Sequence, residues 1–281
     1  MNILGTIQGR MNRFSKGQKR IARYILDHCD KAAFMTASRL GETVQVSEST
    51  VVRFASEVGC DGYPGLQRAL QDLLRSRLTA AQRFRETDFS GPDLLGAVVH
   101  SDMEKLRQMA ALGDRAALEE GAERILGARR VYILGVRSSC FVAGYLHFYL
   151  HLLLENVSLV QPNAAGEMYE QLFRIGPGDA LIAVSFPRYS RITADTVKFA
   201  RDRGASILAV TDGERSPVYA LADTRLLAPC EMISFVDSMV APLSLMNALL
   251  VALARRMDAG DTFSQLEEIW NAYGVFGQEE E

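Results

Sequence analysis

From Phe14 to about Leu78, apolar residues recur at helical rather than strand spacing. Ser15 followed by Gln18 fits a capping box, and Ile21, Tyr24, Ile25 and His28 then fall at i, i+3, i+4 and i+7, so one stripe faces a core. A short second helix is predicted around Thr36 to Thr43, carrying Leu40, and Val44 to Val46 turns the chain before Ser47. Ser47 can cap a third helix, Glu48 to Val58, with Val51, Phe54, Ala55 and Val58 inward and Glu48, Ser49, Thr50 and Arg53 outward. Gly59 suits the left-handed C-terminal cap that ends it. Two short helices joined by a tight turn, the second opening with hydroxyls and an arginine, predict a helix-turn-helix.

Beyond Arg129 the pattern changes to short apolar runs, Val131 to Leu134, Val157 to Val160, Ala180 to Val184, Ser206 to Val210 and Arg225 to Ala228, alternating with helix-length segments. Such alternation predicts a five-stranded, doubly wound parallel sheet covered on both faces. Taking the flavodoxin-like strand order as an assumption, the ligand crevice lies at the switch point between the first and third strands. The loops that meet there are Gly135 to Ser139 and Ser185 to Thr193. Between head and body the pattern loosens after Leu78 and is punctuated by Ser90, Gly91 and Pro92. Two helices follow, about Asp93 to Ala111 and Arg115 to Leu126; their apolar residues Leu94, Val98, Met103, Leu106 and Met109 need a partner, as a domain link or a dimer seam. The predicted organisation is thus a head over 1–78, a joint over 79–128, an α/β body over 129–258 and a C-terminal helix with an acidic tail over 259–281.

Charge sharpens this division. Residues 1–85 carry 14 Lys and Arg against 7 Asp and Glu, whereas residues 86–281 carry 17 against 27. A basic head sits on an acidic body. With 48% hydrophobic residues the 281-residue chain can bury a sizeable core, which excludes disorder as its main state. The most apolar run, Met239 to Ala254, is broken by Pro242, Ser244 and Asn247 and falls short of the ~20 residues that cross a bilayer, so a buried helix is expected. The N-terminal MNILGTIQGR lacks the features of a signal peptide, and a cytoplasmic location with no membrane partner is expected. Cys29, Cys60, Cys140 and Cys230 are too scattered for a disulfide framework or a zinc cluster.

Short hydroxyl side chains at a helix N-terminus can bond phosphates or base edges, and an arginine one turn on can make a bidentate contact to guanine. Lys16, Lys19, Arg20 and Arg23, with Arg39, offer phosphate contacts that position without reading sequence; a solvated charged face is the alternative. In the body, GVRSSCFVA is a glycine turn running into serines at a helix start, where free N–H groups and the helix dipole favour a phosphate. The second loop, SFPRYSRIT, adds Ser185, Ser190 and Thr193 with Arg188 and Arg191. Simple capping by Ser139 and Ser190 is the competing explanation. Isomerisation would require a general base, for which Glu167 and Glu231 are candidates without a motif. His147 and His151 stand at i, i+4 but lack the intervening glutamate of a zinc helix and a third ligand, so neither a metal nor a cofactor is expected. Asp212, Gly213, Ser216 and Pro217 read as loop chemistry.

The run VSESTVVRFASEVGCDGYPGLQRAL, residues 46–70, resembles the N-terminal domain of RpiR-type bacterial transcription regulators at Ser47, Thr50, Val51, Arg53, Phe54, Gly59, Gly62 and Tyr63. That resemblance implies that Ser47, Ser49, Thr50 and Arg53 face DNA, while Gly62 and Tyr63 shape and pack the turn. The body, over about residues 120–256, resembles the SIS, or sugar isomerase, domain, a phosphosugar-binding module. Its first motif, G-x-G-x-S-x-x-x-A, stands as Gly135, Arg137, Ser139 and Ala143, with arginine in place of the second glycine. Its second, S-x-S-G-x-T, survives as Ser190 and Thr193, with Arg191 at the glycine, Arg188 at the first serine and Ser185 as a substitute for it. The effector residues implied are Gly135, Arg137, Ser138, Ser139, Ser185, Arg188, Ser190, Arg191 and Thr193. The expected protein is a non-enzymatic regulator of carbohydrate metabolism that binds a roughly palindromic operator in double-stranded DNA as a homodimer or homotetramer. Its expected effector is a phosphorylated sugar or sugar acid, the added arginines favouring the more anionic ligand. A sugar-phosphate isomerase and an effector-independent DNA-binding protein are the alternatives.

Overall fold

The computed structural model describes residues 3–77, 81–82, 84, 93–161, 164–230 and 232–276. Leu78, the Ser90 to Pro92 punctuation, Glu231 and the terminal glutamates lie outside them. The chain forms two compact units, Met1–Asp88 and Phe89–Glu281.

The first unit is helical: α1 (Ile3–Gly9), α2 (Lys16–Asp27), α3 (Cys29–Ala32), α4 (Ala37–Val44), α5 (Glu48–Glu57) and α6 (Gly62–Arg77). Helix α2 starts on the capping box read from the sequence, Ser15 accepting from the Gln18 N–H while the Gln18 side chain accepts from the Ser15 N–H. Thr36 caps α4 and Ser47 caps α5, their side-chain oxygens accepting from the Arg39 and Thr50 N–H groups. Gly59 closes α5 with φ +90°, the left-handed geometry expected there. Ile21, Ile25, Leu40, Val51, Phe54 and Leu66 are fully buried in one core. Helix α1, not read from the pattern, adds Ile3 and Ile7 to it. Tyr63 packs as expected, and its hydroxyl donates to Met35 O at 2.7 Å. Burial pushes its phenol up to about 12, so it remains a donor throughout the physiological range.

The second unit opens with α7 (Leu94–Leu112) and α8 (Arg115–Leu126) and continues as β1 (Arg130–Gly135), α9 (Ser139–Leu153), β2 (Val157–Val160), α10 (Ala165–Gln171), β3 (Asp179–Val184), α11 (Arg191–Asp202), β4 (Ser206–Thr211) and β5 (Thr224–Leu227). A hairpin, β6 (Met232–Ile233) and β7 (Val236–Asp237), precedes α12 (Val240–Met257) and α13 (Gly260–Ala272). The sheet order is β2-β1-β3-β4-β5, all parallel, which is the order assumed from the sequence. Because strand side chains alternate, Val131, Ile133, Ile182, Val184, Leu208 and Val210 pack on one face against α8, α9 and α12. Tyr132, Leu134, Leu181, Ala183, Ile207 and Ala209 pack on the other against α10 and α11. Burial on both faces explains why β3, buried at all six positions, reads as an unbroken apolar run. Helix α12 is long and apolar enough to cross a bilayer by length and composition, but it contributes Met246, Leu249 and Leu253 to the body core.

Candidate functional site

The two loops expected to form a ligand site converge because β1 and β3 are adjacent and in register, Leu134 opposite Ala183 and Gly135 opposite Val184. Gly135 shapes this junction rather than lining it. A Cβ there would stand 2.4 Å from Ser139 O and 2.8 Å from the Ala143 Cβ, so only glycine lets the first turn of α9 close onto the strand. Ser185 prolongs β3 by one residue, its N–H donating to Val210 O at 3.0 Å and its carbonyl accepting from Thr211 Oγ1 at 2.6 Å. The remainder of that loop is anchored by Tyr189, whose hydroxyl donates to Asp212 at 2.8 and 3.0 Å. Burial pushes the Asp212 carboxyl up, partly countered by the Tyr189 hydrogen bond. Asp212, read from the sequence as loop chemistry, therefore fixes the backbone of the candidate site.

Between the loops lies a cavity of about 160 Å³ lined by Arg137, Ser138, Ser139, Ser185, Arg188, Ser190 and Thr193, together with Val136, Val184, Phe186, Pro187, Phe235 and Asp237. Ser139, Ser185 and Thr193 are buried, at 5%, 4% and 2% exposure, whereas Arg137 and Arg188 are exposed. Ser190 is the N-cap of α11 without a side-chain capping bond, and Ser139 is the first residue of α9, whose N-cap is Ser138, likewise without one, so capping explains neither Ser139 nor Ser190. The hydroxyls of Ser139, Ser185, Ser190 and Thr193 bond to no other described residue. Ser138 alone is engaged, donating to Asp237 Oδ2 at 2.9 Å. Arg137 and Arg188 have φ of +58° and +68°, a left-handed backbone that suits glycine. Neither guanidinium pairs with a carboxylate among the described residues. Three hydroxyls at two helix starts, Ser139, Ser190 and Thr193, and a fourth just past β3, Ser185, rimmed by two arginines that pair with no described carboxylate, make an arrangement suited to an anion.

Arg191 is a correction. As the first residue of α11, it lies outside the cavity lining, 94% exposed, and its side chain runs along the helix to Asp195 at 3.5 Å. Glu167 is exposed in the first turn of α10 and also lies outside the lining, and Glu231 is outside the described residues. Sequence reasoning missed Phe235 and Asp237. Their hairpin is two residues per strand, too short to leave a period, and it meets Ser138 across 99 positions.

In the first unit a groove of about 640 Å³ brings together Arg20, Ser47, Thr50 and Arg53 with Ser15, Gly17, Gln18, Val46 and Glu57. Lys16, Lys19 and Ser49 lie outside that groove lining. The hydroxyl of Ser47 stands 2.9 Å from that of Ser49 and 2.8 Å from that of Thr50, presenting a polar cluster at the start of α5. Arg53 is exposed, and its Nε donates to Ser49 O at 3.3 Å. Arg20 differs from a free phosphate contact: its Nη2 donates to Gln45 O at 2.7 Å, holding the turn between α4 and α5, where Gln45 has φ +54°.

Residues 1–77 match the family described as the helix-turn-helix domain of the rpiR family, and residues 124–252 match the SIS domain. An uncharacterized HTH-type transcriptional regulator of Haemophilus influenzae is 29% identical over 232 residues, 79% of this chain and 78% of that one. The HTH-type transcriptional regulator HexR of Pseudomonas aeruginosa is 26% identical over 217 residues, 75% of this chain and 73% of its own. Among solved structures, the sugar isomerase domain of an RpiR transcription factor from Sphaerobacter thermophilus has a TM-score of 0.59 at 28% identity, covering 63% of this chain and 98% of that one. The Vibrio vulnificus NanR protein, complexed with ManNAc-6P, shares the fold with a TM-score of 0.61 at 24% identity over 98% of this chain and 100% of its own.

Proposed function

The chain belongs to the RpiR family of helix-turn-helix regulators and carries a SIS domain, and from that membership we propose that it is a cytoplasmic transcription regulator whose body senses a phosphorylated sugar or sugar acid. The observation that carries the effector reading is the set of four unengaged hydroxyls around one cavity at the switch point of the sheet. A phosphate oxygen accepts from a hydroxyl or a backbone N–H without any catalytic group being needed. NanR, of the same fold, is complexed with a phosphosugar, which supports that ligand class. The curated relatives are named regulators, which supports a binding rather than a catalytic role.

The rim narrows the class. A non-glycine residue held in the left-handed region costs of order 1 kcal/mol, and this pocket has two, each an arginine with no carboxylate partner. Glycine would remove the strain but also the charge. The buried floor suits the phosphate and the exposed rim a second anionic group, hence a phosphorylated sugar acid over a neutral sugar monophosphate. In the head, Ser47, Thr50 and Arg53 read the operator while Lys16 and Lys19 contact phosphates. A palindromic operator needs two heads, so the acting species is a homodimer or homotetramer.

Calorimetric titration with 6-phosphogluconate and glucose 6-phosphate tests this reading on three proteins. The native protein is expected to favour the sugar acid, Ser139→Ala to lose both ligands by at least tenfold, and Arg137→Gly to lose the preference. Relief of about 1 kcal/mol of strain nearly offsets the extra unfolded-state entropy of glycine, so Arg137→Gly should melt within a few degrees of the native protein. Equal binding of the two ligands by the native protein removes the sugar-acid assignment; binding of neither removes the effector site.

A further inference from the structure

Asp237 places a carboxylate inside the proposed anion receptor. It lines the same cavity as Arg137, Ser139 and Arg188, yet no arginine among the described residues lies within ion-pair distance of it. Its partner is Ser138, whose hydroxyl donates to it at 2.9 Å. A serine hydroxyl has one proton to donate, so Ser138 can serve Asp237 or a ligand oxygen, not both at once. An entering phosphate also meets the like charge of the carboxylate.

The next residue leads out of the pocket. Ser238, 8% exposed, donates to Asp102 Oδ1 at 2.6 Å, a contact spanning 136 positions. Asp102 belongs to α7, where Lys105, 2% exposed, holds Ser101 Oγ at 2.7 Å and Asp102 at 3.5 Å. Consecutive residues are joined through a planar peptide, so Asp237 cannot be displaced far without disturbing Ser238. Helix α7, beginning at Leu94, is the first helix among the described residues of the second unit, which follows the first unit's end at Asp88.

We propose that Asp237 is an intrinsic competitor for the anion, and that its expulsion by the effector passes through Ser238 and Asp102 into α7. The inference rests on the cavity being the effector site. In the free protein Asp237 satisfies Ser138; in the bound protein the phosphate takes that hydroxyl, and the segment Asp237–Ser238 at the end of β7 moves away from it. The effector thereby changes the contact made with the helix next in the chain to the DNA-binding unit. Differential contact of this kind is what a ligand needs in order to shift an equilibrium between two states.

The full-length protein tests this with two probes, inorganic phosphate and glucose 6-phosphate, in calorimetry, and with operator affinity read by fluorescence anisotropy. Asp237→Asn, nearly isosteric, is expected to bind both probes about tenfold more tightly, and Asp237→Ala to do the same by a second route. Ser238→Ala is expected to bind glucose 6-phosphate within threefold of the native protein while its operator response falls to less than a third. Unchanged or weaker binding of both probes by Asp237→Asn, or weaker binding of the sugar alone, makes Asp237 a bystander or a ligand contact and overturns the competitor. A full operator response in Ser238→Ala overturns the route through α7. Failure of the native protein to bind either probe removes the effector site, a result distinguishable from both.

Discussion

Asp179 stands at the start of β3, at the opposite end of the strand from the cavity, with its side chain fully buried. Burial by itself pushes its carboxyl up, but hydrogen bonds from Arg129, Arg130 and the Gly176 N–H outweigh this and hold it below the usual carboxylate range. A carboxyl depressed in the folded state contributes stability above its unfolded value of about 3.9 and loses it as pH falls through the folded one. Asp179→Asn is therefore expected to cost about 2 kcal/mol at pH 7, less than a fully buried pair because both arginines touch water. In denaturant titrations the gap between native and variant should begin to close as pH falls below about 4 and go on closing as pH falls through the depressed folded value; a gap that does not narrow at all on acidification contradicts this role. Local chemistry such as the Ser15 and Gln18 capping box was legible because both partners lie within one turn. The roles of Arg20, Asp179 and Asp237 were not, since their partners lie 25, 49 and 99 positions away.

At the level of elements, the turn between α4 and α5 depends on one close approach. A Cβ on Gly41 would stand 2.8 Å from Val46 O, a backbone atom with little freedom to move, so any side chain there pries the two helices apart. Gly41→Ala is expected to destabilise the head by about 1–3 kcal/mol, as overpacking does, and to weaken operator binding more than tenfold. Effector titration should be unchanged, because the cavity lies wholly in the second unit. Loss of effector binding in this variant contradicts that independence. Elements with a long or doubly buried pattern were readable: α2, α5, α8 and all five strands of the sheet fall within a residue or two of where the spacing puts them. Helix α1, seven residues with two buried side chains, and the β6–β7 hairpin leave too few apolar positions to establish a period. The strand order cannot be read from period at all, and the placement of the site depended on assuming it.

For the whole molecule, the opposite charge of its two parts and the separate positions of groove and cavity describe a reader and a sensor that can be assayed one at a time. Binding of DNA by the basic head should weaken steeply with salt, whereas binding of a small anion among hydroxyls should depend on it far less. Joining the two functions requires a coupling free energy, commonly equivalent to 5–150-fold in affinity. The decisive measurement is anisotropy titration of DNA flanking the protein's own gene at fixed salt, with and without a phosphosugar shown by calorimetry to be bound. Saturation with that ligand is expected to change operator affinity by at least about fivefold, and Ser139→Ala to abolish the change while leaving the ligand-free affinity intact. Identical operator affinity with the cavity saturated would contradict the reading of this chain as a metabolite-responsive regulator.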